Sequence, residues 1–221
     1  MEDFTKNLGV NVLGYAKLPK RLIFHKKAVL YNNTIILVME MDKDKIAMAP
    51  NRDTALMIFE TYNNLGIATN KLTEFLKTNG YSAQAGHPLG GLALYPPLAQ
   101  IAGLGWHGRH GLLITPDFGP RVRLAAVYTN ISNLPVAKEN LHTWIEDFCT
   151  SCGRCIRECP AKAINVSPIL HDNGLKTHID KRKCFTYFGK EYGCSVCIKE
   201  CRFNIEDYAK LKKQHLKVKL R

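Results

Sequence analysis

The chain has 221 residues, 46% of them hydrophobic, and a formal net charge of +12, enough for one sizeable core plus a small appended module. It has no run of eighteen apolar residues, which argues against a membrane-spanning helix. Met1-Glu2-Asp3-Phe4-Thr5-Lys6 has no basic leader before an apolar stretch, which argues against a secretory signal. The charge is uneven: from Lys181 to Arg221, twelve Lys and Arg stand against four Asp and Glu, densest in the tail Lys210–Arg221. A tail of this kind can bind nucleic acid or an acidic protein, or form a solvated helix that offsets bound negative charge.

In chain order, residues 1–8 read as a short helix stopped by Gly9, and 11–16 as a first strand. Thr34–Met41 is a β-branched, continuous apolar strand suited to burial on both faces. Residues 52–78 carry Ala55, Ile58, Phe59, Tyr62, Leu65, Leu72, Phe75 and Leu76 at helical spacing, with Asn79-Gly80 as the stop and Gly66 as a point of interruption. Residues 81–85 predict a strand and 95–102 a short helix with Pro96 in its first turn. Gly103 to Gly111 form a glycine-rich bend, followed by strands at 112–115 and 122–128. The bend is neither a dinucleotide fingerprint nor a phosphate loop, for it follows a helix and lacks Gly-Lys-Ser/Thr. Its glycines serve either tight packing or close backbone approach to a large cofactor.

The densest chemistry lies between Cys149 and Cys201. Cys149-x2-Cys152-x2-Cys155-x3-Cys159-Pro160 is a bacterial ferredoxin run, and Cys194-x2-Cys197-x3-Cys201 repeats its latter part, with Cys184 left to complete the second set. All eight cysteines are used, enough for two [4Fe-4S] clusters. If the ligands cross over as in two-cluster ferredoxins, Cys149, Cys152, Cys155 and Cys201 hold one cluster, and Cys159, Cys184, Cys194 and Cys197 the other. Disulfides and zinc are the competing readings. Eight cysteines in 53 residues with two-residue gaps strain disulfide geometry, and zinc sites favour separated C-x2-C pairs. Thiolates serving as cluster ligands favour a reducing compartment, so the chain is expected to be cytoplasmic.

Ala102 to Thr129, Phe148 to Ile164, Ile179 to Cys184 and Tyr192 to Cys201 together resemble the epoxyqueuosine reductases and reductive dehalogenases, over roughly residues 92–204. The resemblance implies an α/β (α+β), nitroreductase-like N-terminal domain over 1–146, a ferredoxin-like two-cluster module over 147–204 and a basic C-terminal helix over 205–221. It implies a cobalamin near Gly103, Gly105, His107, Gly108 and Arg109. It also implies a substrate-pocket arginine at Arg123 or Arg121, and a proton donor among Tyr95, His107 and His110. The implied partners are a reduced ferredoxin- or flavodoxin-type electron donor and a small-molecule substrate, with tRNA as a further candidate and no membrane. Departures accompany the likeness. Leu89 stands at the position of the family's aspartate donor, Cys201-Arg202 replaces Cys-Pro, only twenty residues follow Cys201, and neither a helical-repeat domain nor a twin-arginine leader is present. Two readings stay open: a corrinoid-dependent reductase, and an electron carrier that docks a partner enzyme and binds no corrinoid.

Overall fold

The computed structural model describes residues 1–219. Its helices are α1 (Glu2–Lys6), α2 (Lys43–Ala47), α3 (Arg52–Thr78), α4 (Tyr95–Ile101), α5 (Trp144–Cys152), α6 (Arg154–Arg157), α7 (Lys181–Lys190), α8 (Val196–Lys199), α9 (Arg202–Ile205) and α10 (Tyr208–Lys219). Its strands are β1 (Val12–Lys17), β2 (Asn33–Glu40), β3 (Ala83–Gly86), β4 (Trp106–His107), β5 (Leu113–Ile114), β6 (Val122–Thr129), β7 (Ile164–Leu170) and β8 (Lys176–Ile179). Two compact units emerge: one of 1–41, 58–104 and 122–140, the other of 42–57, 105–121 and 141 onward. The bend after Gly103 and the segment 42–57 thus group with the cysteine-bearing stretch. So does α10, while Leu220 and Arg221 of the expected basic helix lie outside the described residues.

The first unit is built on an antiparallel sheet in the order β1-β2-β6-β3. Central β2 is buried from Thr34 to Met39, as its unbroken apolar run requires. Tyr15, Ile35, Val127 and Ala85 lie opposite one another in register, and so share a face. That face packs on Leu65, Ala68, Leu72 and Leu76 of α3, spaced by three and four residues. Helix α3 passes Gly66 without a break. A Cβ at Gly66 would overlap the His87 imidazole, so this glycine admits a packed ring rather than ending the helix. The end comes in a Schellman motif, in which Tyr81 N–H donates to the Leu76 carbonyl (3.0 Å) and Gly80 N–H, with φ +84°, to that of Lys77 (3.1 Å).

The second unit holds two short hairpins, β4–β5 and β7–β8. Its core is Ile114, Ile145, Phe148, Cys201, Phe203 and Leu211, with Trp106, Trp144 and Tyr208 against it. Trp144 Nε1–H donates to the Tyr208 hydroxyl at 2.9 Å, and His142 Nδ1 shares that hydroxyl at 2.6 Å. These contacts anchor α10 by its apolar side while Lys210, Lys213 and Lys217 stay exposed. Among the described residues no helix is long and apolar enough to cross a membrane.

Candidate iron–sulfur centre

The two cysteine runs fold as repeats of one another. In each, a residue in the left-handed region, Gly153 (φ +58°) or Ser195 (φ +62°), precedes a four-residue helix, α6 or α8. The helix carries the middle cysteine, and the last cysteine follows it. Glycine adopts that backbone without strain, whereas for Ser195 it costs on the order of 1 kcal/mol. Around the second copy the left-handed run extends over Tyr192, Gly193, Cys194 and Ser195. Backbone strained in this way concentrates at functional sites.

Cys149, Cys152, Cys155 and Cys201 line a single small cavity of about 20 Å3, together with Arg109, His110, Phe148, Arg154, Arg202 and Phe203. The other four cysteines also gather. Cys159, Cys184 and Cys197 meet in one apolar cluster with Ala163, Ile164 and also Cys155, and the Cys194 sulfur is close enough to those of Cys184 and Cys197 to help push their thiols up. The two groups adjoin at Cys155, and the first of them unites the first run with Cys201. All eight are free thiols.

Backbone amides point at the sulfurs. The Arg109 N–H faces Cys149, those of Ile156 and His110 face Cys155, and those of Phe203 and Val196 face Cys201 and Cys194. Ala163 N–H donates to Cys159 Sγ at 3.4 Å. Amides aimed in this way stabilise thiolate and cluster charge and help set the potential. In the chain by itself, burial first and neighbouring sulfurs second push the thiols up, Cys149 and Cys197 to about 12 and Cys155 to about 11. Metal binding takes the proton from each thiol that becomes a ligand.

The glycine-rich bend wraps this centre. A Cβ at Gly105 would overlap the Ile114 carbonyl, one at Gly108 would meet His110 at 2.6 Å, and one at Gly111 would meet the His178 Cβ at 2.9 Å. In the first unit, a Cβ at Gly103 would lie 3.1 Å from that of Ala137. These glycines are needed because the chain itself approaches closely. Arg109 lines the cysteine cavity and donates to the Thr150 hydroxyl at 3.1 Å. His107 stacks on His178 with centroids 5.7 Å apart, and His110 is buried and accepts the Leu112 N–H at 3.1 Å. Burial pushes the His107 imidazole down to about 4 and that of His110 to about 3, helped by the neighbouring histidines.

Arg123 and Tyr95 are not brought together. Arg123 of β6 lies on the α3 face of the sheet, its guanidinium 4.8 Å from the Tyr62 ring centre. Tyr95 of α4 flanks Gly86 with Tyr128, which alternates to the opposite face, and its hydroxyl donates to the His87 carbonyl at 3.1 Å. Burial first pushes that phenol up to about 12. Arg121 is buried in the second unit. Sequence reasoning missed His178, Phe148, Phe203, Arg154 and Arg202 around the cysteines. Arg154 and Arg202 directly follow Gly153 and Cys201, and that adjacency was the one signal available.

A 4Fe-4S dicluster domain matches residues 148–205. The tetrachloroethene reductive dehalogenase of Desulfitobacterium hafniense is 32% identical over 214 residues, covering 89% of this chain and 37% of that protein. The epoxyqueuosine reductase of Listeria monocytogenes is 31% identical over 114 residues, 48% of this chain and 28% of that protein. Among solved structures, a reductive dehalogenase whose structure suggests a mechanism for B12-dependent dehalogenation superposes with a TM-score of 0.82 at 22% identity, covering 96% of this chain and 32% of that one. An epoxyqueuosine reductase bound to a tRNA stem loop gives 0.62 at 17% identity, with 93% and 64% covered. The chain spans about a third of the length of the dehalogenases it matches. It is a homologue of the reductive dehalogenases and epoxyqueuosine reductases, with a mixed α/β fold and a 4Fe-4S dicluster domain at residues 148–205.

Proposed function

We propose that the chain is an iron–sulfur oxidoreductase in which Cys149, Cys152, Cys155 and Cys201 hold one [4Fe-4S] cluster and Cys159, Cys184, Cys194 and Cys197 the other. The observation that carries this is the cavity shared by Cys149, Cys152, Cys155 and Cys201, which unites the first run with the last cysteine of the second. When bound, the clusters supply single-electron transfer. The chain's residues hold them through thiolates, direct N–H groups at those thiolates and shield them with Phe148 and Phe203. The eight free thiols support a reducing, cytoplasmic setting.

In this reading the module of 147–204 serves a nitroreductase-like α/β domain that carries a corrinoid, as in a B12-dependent reductase. Likeness to a B12-dependent dehalogenase supports the corrinoid. The second reading, an electron carrier for a partner enzyme with no corrinoid, is supported by the close packing of the bend, whose glycines approach the chain's own atoms. Because Arg123 and Tyr95 occupy opposite sheet faces, one pocket uses one of them and not both.

The test is anaerobic reconstitution with iron, sulfide and hydroxocobalamin, followed by desalting and metal analysis. About eight irons per chain are expected, and one cobalt separates the reductase from the carrier. Cys149→Ser and Cys201→Ser, singly or combined, should each lose the same cluster, leaving about four irons. Additive losses in the combined variant would defeat the crossed-over assignment.

A further inference from the structure

Helix α7 is the most openly apolar and basic element of the cysteine module. Phe185 is 73% exposed and Phe188 46%, and their rings stack on one another with centroids 6.3 Å apart. No residue of α7 is buried. Lys181 and Arg182 flank this aromatic plate at helical spacing, both exposed, and the helix contains no acidic residue. Of the two carboxylates that bracket the helix, Asp180 is engaged as the N-cap and accepts the N–H groups of Arg182 and Lys183, and Glu191 stands at the C-cap. Large aromatic side chains left in water at a cationic rim have no folding rationale and mark an interaction surface.

The same helix carries Cys184, whose sulfur lies near those of Cys159 and Cys194. The Phe188 ring also covers the ligand loop, for a Cβ at Gly193 would come within 3.4 Å of it. A molecule seated on Phe185 and Phe188 is therefore next to a ligand of the second cysteine set. Cys184 is half-buried, whereas Cys155 and Cys201 of the first set and Cys159 of the second are buried.

We propose that the Phe185–Phe188 face of α7, with its rim of Lys181 and Arg182, is the docking surface for an acidic one-electron donor protein. The inference rests on the two-cluster reading above. One electron leaves the donor and is taken up at the second cysteine set, and no bond is made or broken. A protein occupant is favoured over RNA because the two rings stack on each other and present a joint apolar plate, not separate platforms for bases. Their position beside Cys184 gives the contact a redox purpose. Charge on such a rim sets the encounter rate, and the aromatic centre sets the residence time.

The experiment uses the cluster-loaded full chain with reduced flavodoxin as the acidic donor and dithionite as a donor that needs no docking. Wild type, Lys181→Glu/Arg182→Glu and Phe185→Ser are compared for iron content, flavodoxin affinity at low and moderate salt, and bleaching of the visible absorbance. Both variants should keep their iron and their dithionite rate. Flavodoxin affinity and flavodoxin-driven bleaching should fall by about tenfold or more, and wild-type affinity should fall with salt. Wild-type behaviour of both variants toward flavodoxin would overturn the proposal. So would a loss in the variants of tRNA binding or self-association, with flavodoxin unaffected. If dithionite itself fails to bleach the wild type, the cluster reading falls, and the docking site with it.

Discussion

Arg109 reaches across forty-one positions to donate to the Thr150 hydroxyl at 3.1 Å, while its own backbone N–H faces the Cys149 sulfur. The residue thus fastens the glycine-rich bend to the start of the cysteine run. The other two guanidiniums of the cavity are paired with carboxylates, Arg154 with Glu200 at 2.7 Å and Arg202 with Glu206 at 2.6 Å. Arg109 instead meets a neutral hydroxyl, so its charge is the less compensated. Arg109→Gln should lower the potential of the cluster assigned to Cys149, Cys152, Cys155 and Cys201. A unit charge a few ångströms away is worth on the order of 1–4 kcal/mol. Arg154→Gln should shift it less. An EPR-monitored redox titration checks this, and equal shifts from the two variants would remove Arg109 from the role.

Gly119 offers a test of packing without any cofactor. It has φ +55°, and its amide and carbonyl pair with those of Thr115 at 3.0 and 2.9 Å. A Cβ there would overlap the Phe203 carbonyl, which belongs to the helix after Cys201. Gly174 shares the left-handed backbone (φ +77°) but has open space where its Cβ would go. Gly174→Ala should cost about 1–2 kcal/mol from backbone strain alone. Gly119→Ala should cost more, about 3 kcal/mol or above, because the clash is with backbone that cannot rotate away. Chemical denaturation of the two variants gives the comparison, and equal losses would show that the Phe203 turn yields.

Much of this was legible in the chain itself. The buried run at β2, the periodic face of α3 and the Asn79-Gly80 stop are local patterns, and the structure repeats them within a residue or two. Spacing alone grouped the cysteines, because two-residue and three-residue gaps constrain backbone geometry directly. What spacing cannot convey is what lies across from a residue. Gly66 reads as a helix breaker until His87 packs on it. Gly105, Gly108 and Gly111 read equally as tight packing or as a cofactor approach, and only the structure shows Ile114, His110 and His178 beside them. Which sheet face Arg123 of β6 and Tyr95 of α4 adjoin depends on strand pairing and helix packing, both long-range properties. His178 sits on a polar, irregular hairpin, where no periodicity marks it.

Tyr208 links α10 to the helix that opens the cysteine run. Its hydroxyl meets both Trp144 Nε1 and His142 Nδ1, and its ring contacts those of Trp144 and Phe203. Tyr208→Phe keeps the ring contacts and removes both hydrogen bonds, for a loss of about 1–3 kcal/mol. Tyr208→Ala should cost about 3–5 kcal/mol, as for large aromatic truncations. If thermal unfolding shows the Ala variant no worse than the Phe variant, α10 is not packed through this ring.

The stacked pair His107–His178 predicts an acid-side loss of stability. Burial, reinforced by the charges of His178 and Lys176 and opposed by Glu146, holds His107 down to about 4 in the folded chain, against an ordinary value of 6.5. The unfolded chain therefore takes up the proton first as pH falls. The contribution is fully present above about pH 6.5 and is lost progressively down to about pH 4, for a total on the order of 2–3 kcal/mol. His107→Leu removes the titrating ring, so its unfolding midpoint should fall less steeply than that of wild type over this window. Glu146, whose carboxyl the Lys176 ammonium at 2.6 Å holds down, is present in both proteins, so its own contribution cancels in the difference. Parallel curves for the two proteins from about pH 7.5 to about pH 4.5 would mean that His107 accepts a proton in place, and that the pocket around it opens to water.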